Sequence, residues 1–274
     1  MKVSIVGYGF VGQALHKGLK NDVEICIVDP KQGTTFDDLK RFAPEISFIC
    51  VPTPMNDDGT QNISIIENVL KDFKNNSLNS LIVIKSTVLP NYLSSLETIF
   101  PSIVYNPEFL REAHAVEDFI NSKLIIFGGK KSDSKILGNF YDKHTKCINK
   151  DYQYTDLITA SLLKYSINSF LATKVIFFNE INTLFSNMHP NGNWEDFIKL
   201  ISIDNRIGNS HMQVPGPDNR YGFGGACFPK DTAALLEFAQ SNNVSLEVIK
   251  TVINLNNSIR SKYQEQNQRE IEQN

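Results

Sequence analysis

Cysteine is scarce in this sequence, and no cysteine stands in a pattern typical of a metal site. The four cysteines among 274 residues are far apart in the chain. They form no CxxC pair and have no histidine at zinc-ligand spacing, so we expect no bound metal. Cys26 and Cys50 lie in apolar runs, which predicts small buried side chains. Cys147 has no informative context, and Cys227 stands in a polar, glycine-rich segment.

The sequence also lacks an excess of charge and any long apolar run. Its formal net charge is −3, so electrostatics gives no reason to expect nucleic acid or an anionic membrane as a partner. No apolar run approaches the ~20 residues of a membrane-spanning helix. The start, MKVSIVGYGF, has the pattern of a strand entering a glycine turn rather than that of a signal peptide. These absences predict a cytoplasmic protein.

Residues 1–150 alternate short β-branched runs with amphipathic stretches. Six apolar runs are typical of strands buried on both faces: VSIVGYG, VEICIVD, ISFICVPTP, LIVIKSTV, SIVYNPEF and KLIIFGG. The segments between them predict helices at 11–20, 36–42, 64–75, 92–100 and 132–143. Alternation of this kind predicts an α/β fold with a Rossmann-like, doubly wound parallel sheet.

Residues 151–262 have a different, mainly helical character. The apolar stretch that begins TDLITASLLKYSINSF predicts one long helix or two abutting helices. A loop-rich segment at 189–230 follows, and then predicted helices at 231–241 and 244–262. We interpret this region as a second, helical central domain, and residues 263–274 as a polar tail.

A glycine motif between the first strand and the first helix predicts a dinucleotide site. Gly7, Gly9 and Gly12 have the GxGxxG spacing, which permits a tight turn, a close approach to a pyrophosphate and close helix–strand packing. The alternative is a purely structural turn. Asp29 ends the next strand, near the ~20-residue spacing of a ribose-binding carboxylate. A carboxylate there repels a 2′-phosphate, so the motif favours NAD over NADP as cofactor.

Two further strand ends are candidates for lining the cofactor. CVPTP and KSTVLP both follow predicted strands, and open parallel sheets bind ligands at the carboxyl ends of strands. The alternative is two ordinary strand ends terminated by proline. With the glycine motif, the residues predicted to contact the dinucleotide are Gly7, Tyr8, Gly9, Phe10, Val11, Gly12, Asp29, Val51, Pro52, Thr53, Ser86 and Thr87.

Three side chains before the last loop have catalytic potential. Glu108 directly follows the fifth predicted strand, where a carboxylate either begins a solvated helix or takes part in chemistry. Lys164 and Asn168 are four residues apart in the predicted long helix and therefore on one face. The lysine either lies on a solvated stripe or faces a polar pocket, where the pair would stabilise an oxyanion.

The segment YGFGGACFPKD combines glycines, a cysteine and a helix start. Gly222 and Gly224 allow a backbone path that brings N–H groups close to a ligand. Pro229 suits the first turn of a helix, which places Cys227 just before a helix N-terminus with Lys230 nearby. Both features lower the pKa of a thiol. The alternative is a buried structural cysteine, but the context favours a nucleophile.

Six segments, in order along nearly the whole chain, resemble the UDP-glucose/GDP-mannose dehydrogenase family. They are GYGFVG, VPTP, KSTV, NPEFLRE, LLKYSINSFLATKVIFFNE and GFGGACFPKDT. The resemblance implies a four-electron oxidation of a nucleotide sugar at C6, from alcohol to carboxylate, with two NAD. It also implies that Cys227 attacks the aldehyde and passes through a thiohemiacetal and a thioester.

The resemblance further implies roles for individual residues. Glu108 would act as acid and base, Asp231 would help activate water, and Lys164 with Asn168 would hold the oxyanion. Thr87 and Glu112 would join the cofactor site. Substrate contacts would come from Phe109, Leu110, Arg111, Gly222, Phe223 and Gly224. Arg206 matches a family arginine that reaches the neighbouring subunit's active site, which implies a homodimer through the helical domain.

The sequence departs from the family pattern in three places. Family members usually carry a C-terminal α/β domain that binds the substrate nucleotide, and this sequence ends where that domain would begin. The span between Asp29 and VPTP is short. The segment NSHMQVPGPDNRY, before Cys227, is longer than expected, and we interpret it as a cover for the pocket that the absent domain would leave open.

Three functions of different classes follow from these observations. The leading hypothesis is an NAD-dependent nucleotide-sugar 6-dehydrogenase acting on UDP-glucose, with GDP-mannose or another nucleotide hexose as alternative substrates. The second is a two-electron β-hydroxyacid-type dehydrogenase, which needs no cysteine. The third is a non-catalytic module that binds a nucleotide or dimerises. The segment GGACFPKD favours the first.

Overall fold

The computed structural model describes residues 1–56 and 58–263, which form two compact units. Unit 1 comprises Met1–Thr53 and Gln61–Lys164, and unit 2 comprises Pro54–Thr60 and the chain from Tyr165 onward. The division in the second half falls after Lys164, whereas the change in sequence pattern lies near residue 150. Of the predicted polar tail, residues 264–274 lie outside the described residues.

Unit 1 is built on a seven-stranded sheet. Its strands are β1 Lys2–Val6, β2 Glu24–Val28, β3 Ile46–Ile49, β4 Leu81–Ile84, β5 Ile103–Tyr105, β6 Ile125–Gly129 and β7 Tyr152–Thr155. Their spatial order is β2-β1-β3-β4-β5-β6-β7. All neighbouring pairs are parallel except β5 and β6. The predicted fold class, a Rossmann-like α/β sheet followed by helices, is confirmed.

Two strands differ from the prediction. β6 is antiparallel to β5. The connection between them contains the short helix α5, Ala115–Ile120, and does not form the crossover that a parallel pair would need. β7 lies in the region that the sequence assigned to helices. It is an edge strand of sequence YQYT with two exposed central residues, so it lacks the continuous apolar run that marks a strand buried on both faces.

Helices and strands of unit 1 enclose two apolar clusters. The helices are α1 Phe10–Gly18, α2 Phe36–Phe42, α3 Ser64–Asn75, α4 Pro90–Ile99, α5 and α6 Lys131–His144. Side chains alternate along a strand, so Phe48 of β3 packs in one cluster and Ile49 in the other. β3 and β4 are buried along their whole length. Cys26, on edge strand β2, is half-buried rather than buried as predicted. Cys50, just after β3, is half-buried as a residue, but its thiol is enclosed.

Helices α7 to α10 follow, and most of them belong to unit 2. α7 spans Leu157–Met188 as one helix, which decides between the two predicted alternatives. The others are α8 Trp194–Ile201, α9 Phe228–Ser241 and α10 Glu247–Arg260. α8 lies in the segment that the sequence assigned to loops. The sequence contains a signal for the start of this helix, because asparagine is a favoured N-cap residue. Asn193 caps α8 by accepting the Glu195 N–H at 2.9 Å.

The long segment before Cys227 is packed on unit 2. Met212 and Val214 are buried in a cluster with Phe178, and Trp194 packs against that cluster. The indole Nε1–H of Trp194 donates to the Met212 carbonyl at 3.2 Å. The segment is therefore part of the folded helical unit, and its predicted role as a pocket cover stays a prediction.

Candidate functional site

The glycine motif forms the turn between β1 and α1, and two of its glycines are required by packing. Gly7 has φ +90°, and a Cβ there would lie 2.7 Å from the Cys50 carbonyl oxygen. A Cβ on Gly12 would clash with the Gly7 carbonyl oxygen. Gly9 differs, because a Cβ there would meet no atom within 4 Å. Packing therefore does not explain Gly9, whereas close approach of a ligand to the helix N-terminus does.

Asp29 binds the glycine turn directly. Its Oδ2 accepts the Tyr8 backbone N–H at 2.6 Å, and its Oδ1 accepts the Lys31 N–H at 2.8 Å. Each carboxylate oxygen keeps a lone pair for a further donor, such as a ribose hydroxyl. Tyr8 and Phe10 pack partly against the core, and Val11 is half-buried in the first turn of α1. These residues fit a dinucleotide at the β1–α1 turn.

The two other strand-end loops are hydrogen-bonded to each other. Ser86 Oγ donates to the Val51 carbonyl at 2.6 Å, and Thr53 Oγ1 donates to the Thr87 carbonyl at 3.0 Å. Val51 is buried and Pro52 is exposed. The hydroxyls of Ser86 and Thr53 thus fix the loops after β3 and β4. Glu112, half-buried, begins the 3₁₀ turn Glu112–His114.

Glu108 and Lys164 form a buried ion pair in unit 1. Their side chains are 7% and 3% exposed, and Lys164 Nζ lies 3.2 Å from Glu108 Oε1. The same ammonium donates to the Glu108 carbonyl at 2.6 Å and lies 5.2 Å from the centre of the Phe109 ring. Glu108 Oε2 accepts the Leu110 N–H at 2.6 Å. The lysine therefore lies in a polar, buried environment rather than on a solvated stripe.

Arg111 points toward helix α5 in this structure. Its guanidinium binds the Asp118 carboxylate, with Nη2 2.7 Å from Oδ1. This hydrogen bond lowers the pKa of Asp118. The Arg111 side chain is 65% exposed, so its predicted contact with a substrate stays a prediction.

A second buried lysine, Lys85, was not predicted from the sequence. Its Nζ donates to the Asn106 carbonyl at 3.2 Å and to the Asn106 Oδ1 at 2.9 Å, and Tyr141 donates its hydroxyl to the same Oδ1 at 2.6 Å. Burial lowers the pKa of Lys85. Asn106, which joins the two other residues of this network, directly follows β5 and precedes Glu108 by two residues. The sequence feature that could have indicated this buried lysine is its position directly after the apolar run LIVI.

Asp231 is the centre of a polar cluster in unit 2. Its carboxylate is 1% exposed and accepts the Asn168 Nδ2–H at 2.6 Å on Oδ2. Lys230 Nζ donates to Oδ1 at 2.6 Å. Cys227 is the N-cap residue of α9, and its carbonyl accepts the Asp231 N–H at 2.8 Å. The thiol thus precedes a helix N-terminus, as predicted, with a buried carboxylate one turn later.

The pKa values of the other three thiols are raised. Burial raises the pKa of Cys26 and of Cys147, and enclosure of the Cys50 thiol raises its pKa to about 12. A thiol with a raised pKa is protonated at neutral pH, and the thiolate is the reactive form. These environments agree with the hypothesis that chemistry at a cysteine belongs to Cys227.

The glycine turn before Cys227 is held by amide side chains that the sequence analysis missed. Gly222, with φ +74°, donates its N–H to Asn179 Oδ1 at 2.9 Å, and Phe223 donates its N–H to Asn256 Oδ1 at 2.7 Å. The Phe223 side chain is buried in the core of unit 2, so a substrate contact there would come from its backbone. Gly224 is half-buried.

Arg206 lies on the surface of unit 2. Its side chain is 90% exposed and is hydrogen-bonded to Asp204, with Nη2 2.6 Å from Oδ2. The buried Lys174 donates to the carbonyls of Ile207 and Gly208 at 2.9 and 3.4 Å, and burial lowers its pKa. Lys174 therefore holds the backbone next to Arg206.

The structure brings together several of the predicted groups. Asp29 meets the glycine turn, the loops after β3 and β4 meet each other, Glu108 meets Lys164, and Asn168 meets Asp231. Lys164 and Asn168 lie one turn apart on α7. Within residues 1–56 and 58–263, no group of three or more His, Cys, Asp or Glu residues is arranged to hold a metal ion. In the same residues, no helix is both long and apolar enough to span a bilayer.

The fold and the β1–α1 turn define a dinucleotide-binding α/β protein with a helical second unit. Sequence comparison then identifies the family. Residues 31–145 match the NAD binding domain of the UDP-glucose/GDP-mannose dehydrogenase family, and residues 158–258 match its central domain. A UDP-glucose 6-dehydrogenase of Campylobacter jejuni is 33% identical over 298 residues, which cover 96% of this chain and 73% of that protein. The chain belongs to this family.

Two further relatives show what share of a family member's length this chain matches. A UDP-glucose 6-dehydrogenase of Rickettsia felis is 37% identical over 220 residues, which cover 77% of this chain and 47% of that protein. The matched region thus spans about half of that relative. The solved UDP-glucose dehydrogenase of Pyrobaculum islandicum superimposes with a TM-score of 0.79 at 26% identity, over 94% of this chain and 68% of that one.

Proposed function

We propose that the protein is an NAD-dependent nucleotide-sugar 6-dehydrogenase that oxidises C6 of UDP-glucose to the carboxylate of UDP-glucuronate. The observation that carries the proposal is Cys227 at the N-cap of α9, with the buried, amide-bonded Asp231 one turn later. A two-electron dehydrogenase needs no such thiol. The names of the relatives from C. jejuni, R. felis and P. islandicum support the choice of UDP-glucose.

The cofactor would be held by the β1–α1 turn, by Asp29 and by the loops after β3 and β4. The open space at Gly9 lets the pyrophosphate approach the helix N-terminus, and Asp29 accepts ribose hydroxyls while repelling a 2′-phosphate. Thr87 and Glu112 complete the proposed contacts. When bound, NAD accepts the two electrons of each oxidation.

In the first oxidation the C6 alcohol becomes an aldehyde. Glu108 accepts the hydroxyl proton, and the Lys164 cation beside it stabilises the oxygen as charge develops there. Phe109, Leu110 and Arg111 contact the sugar nucleotide, as the family resemblance implies. The backbone of Gly222–Gly224 does the same from the loop before Cys227.

In the second oxidation the Cys227 thiolate adds to the aldehyde carbon and forms a thiohemiacetal. Loss of the C6 hydrogen as a hydride, which bound NAD would accept, together with loss of the hydroxyl proton, turns this adduct into a thioester. Water then attacks the thioester carbon, which releases the carboxylate and restores the thiol. Asp231 helps to deprotonate the water, Glu108 takes part in hydrolysis, and Lys164 with Asn168 holds the oxyanion.

The reaction is tested by counting NADH per nucleotide sugar. UDP-glucose, GDP-mannose and UDP-N-acetylhexosamines are supplied separately, with product analysis by mass spectrometry. About two NADH per UDP-glucose, with the carboxylate as product, is the expected result. Cys227→Ser should stop carboxylate formation, because an alkoxide is far less available than a thiolate at neutral pH.

Other outcomes assign another function. One NADH per substrate indicates a two-electron dehydrogenase. Turnover of GDP-mannose but not of UDP-glucose would assign GDP-mannose as the substrate of the same reaction. No NADH with any sugar leaves a nucleotide-binding or dimerising module. A Cys227→Ser variant that makes the carboxylate at the parent rate overturns the covalent mechanism. The cytoplasmic location stays a prediction.

We also propose a homodimer formed through unit 2. On α7, Phe170, Phe177 and Leu184 recur at heptad spacing and are 66%, 54% and 59% exposed. Such a row of exposed apolar side chains on one helix face is typical of a helix–helix interface. Sedimentation velocity should show a dimer for the parent protein and a monomer for Phe177→Asp. A parent protein that sediments as a monomer at micromolar concentration overturns the proposal.

A further inference from the structure

The turn at Gly222–Phe223 is bound from two helices. Asn179 of α7 accepts the Gly222 N–H, and Asn256 of α10 accepts the Phe223 N–H. Both amides are about 4% exposed. Buried hydrogen bonds of this kind are expensive to remove, because the freed N–H has no water to bind.

Arg260 of α10 binds the carbonyl group of the same turn. Its Nη2 donates to the Gly222 carbonyl at 3.2 Å, and its Nη1 donates to Asp218 Oδ2 at 2.6 Å. Asp218 belongs to the long segment before Cys227, and its side chain is 20% exposed against 14% for Arg260. The guanidinium therefore connects that segment and the glycine turn to one helix.

Gly222 is adapted to this arrangement. Its φ of +74° disfavours any residue with a Cβ, and a Cβ there would lie 2.6 Å from Asn256 Oδ1. The glycine thus allows the amide of Asn256 to come within hydrogen-bond distance of the next N–H. Phe223 then inserts its ring among Ala172, Ile176 and Val252, which anchors the turn five residues before α9 begins at Phe228.

The path of the chain between these anchors and α9 is short. From Gly224 to Cys227 the chain has no regular secondary structure. Gly225 has φ +75°, and a Cβ there would meet no atom within 4 Å. A short glycine-containing link has many accessible conformations. Its position is therefore determined by the clamped turn at one end and by helix α9 at the other.

We propose that Asn179, Asn256 and Arg260 are positioning residues that hold the Gly222–Phe223 turn so that the following loop presents Cys227 to the substrate. This inference rests on the proposed function for its catalytic part. The hydrogen bonds themselves do not depend on that function, so clamp and chemistry can be tested separately.

The first test measures the clamp by amide hydrogen exchange in the peptide that contains Gly222 and Phe223. Asn256→Leu has nearly the same shape but cannot accept a hydrogen bond, whereas Asn256→Asp keeps an acceptor oxygen. Exchange should accelerate at least tenfold in the Leu variant and less than threefold in the Asp variant. Asn254→Leu, at an exposed position of the same helix, is the matched control and should exchange like the parent.

The second test measures the catalytic consequence with UDP-glucose and NAD. Asn256→Leu should lower kcat at least tenfold and leave the Kd for NAD within twofold, and Asn256→Asp should retain at least a third of the parent kcat. A general loss of folding would change NAD binding as well and would not be rescued by the aspartate. If Asn256→Leu does not fold, Asn179→Ala on the other helix tests the same turn in the same way.

The outcomes are distinguishable. Parent-like exchange in Asn256→Leu overturns the clamp, and accelerated exchange with parent kcat overturns the positioning role. If the parent protein oxidises none of the nucleotide sugars, the proposed function and the catalytic part of this inference both fail. The exchange measurement then still decides whether the clamp exists.

Discussion

The two units hold their polar groups in different ways. In unit 1, loops follow directly from strands, and carboxylates such as Asp29 and Glu108 accept backbone N–H groups of those loops. In unit 2, the loop before Cys227 has no regular secondary structure, and side chains of α7 and α10 hold its backbone. A sheet sets the path of its strand ends, whereas the loop of unit 2 depends on individual side chains. Single substitutions should therefore act differently in the two units.

The largest expected effect distinguishes two buried lysines. Lys164 pairs with a carboxylate in unit 1, whereas Lys174 binds carbonyl oxygens in unit 2. Lys164→Met leaves the buried Glu108 without its cation and should destabilise unit 1 by about 3–5 kcal/mol. Lys174→Met leaves neutral acceptors and should destabilise unit 2 by about 1–3 kcal/mol.

Denaturant unfolding followed by hydrogen exchange reports each unit separately. Lys199→Met, at an exposed position of α8, is the control and should change the free energy of unfolding by less than ~0.5 kcal/mol. If Lys164→Met and Lys174→Met lower the free energy of unfolding equally, the charge of the lysine's partner does not determine the size of the loss.

A smaller effect separates two glycines with positive φ. A Cβ at position 7 meets a backbone carbonyl at 2.7 Å, whereas a Cβ at position 222 meets a side-chain oxygen at 2.6 Å. The carbonyl of Cys50, directly after β3, is fixed by the backbone, whereas an amide side chain can rotate. Gly7→Ala should therefore destabilise the protein by about 3 kcal/mol or more, and Gly222→Ala by about 1–3 kcal/mol.

Gly9→Ala is the control for the first of these changes. It has open space around the new methyl, so it should leave the melting temperature nearly unchanged and weaken NAD binding, measured by calorimetry. Loss of stability in Gly9→Ala with unchanged NAD affinity would contradict the assignment of this turn to the cofactor.

The smallest expected effect concerns pH and the surface of unit 1. The Arg111 hydrogen bond lowers the pKa of Asp118 in the folded state, so this carboxylate stabilises the fold above its unfolded pKa of about 3.9. The contribution is lost as pH falls through the folded pKa. Because the Arg111 side chain of this pair is 65% exposed, Asp118→Asn should lower the free energy of unfolding by less than about 1 kcal/mol at pH 7.

The difference between Asp118→Asn and the parent should shrink as pH falls below the unfolded pKa of about 3.9. Urea unfolding at pH 7, 5 and 3 measures it. A difference that persists unchanged to the lowest pH would show that the carboxylate acts through packing rather than through its charge.

Local patterns predicted the sheet, because strands that are buried on both faces need continuous apolar runs. The same reasoning missed β7, whose YQYT sequence lies at an edge, and α8, whose cap at Asn193 was read as part of a loop. Sequence context favoured Cys227 as a nucleophile, but it left open whether Lys164 lies on a solvated stripe or faces a polar pocket. It missed Lys85, Asn179 and Asn256. A polar residue in an apolar run can be recognised as buried only when its hydrogen-bond partner is known, and these partners are distant in sequence.

By itself, the sequence determined the α/β class, the glycine turn with Asp29 and the family, since these depend on short-range periodicity and on spacing within single segments. Tertiary structure decided which groups meet. Glu108 and Lys164, Asn168 and Asp231, and Phe223 and Asn256 are each separated by dozens of residues, and only the packing of strands and helices brings them within hydrogen-bond distance. Hydrogen bonds act over about 3 Å, so their partners are set by the fold.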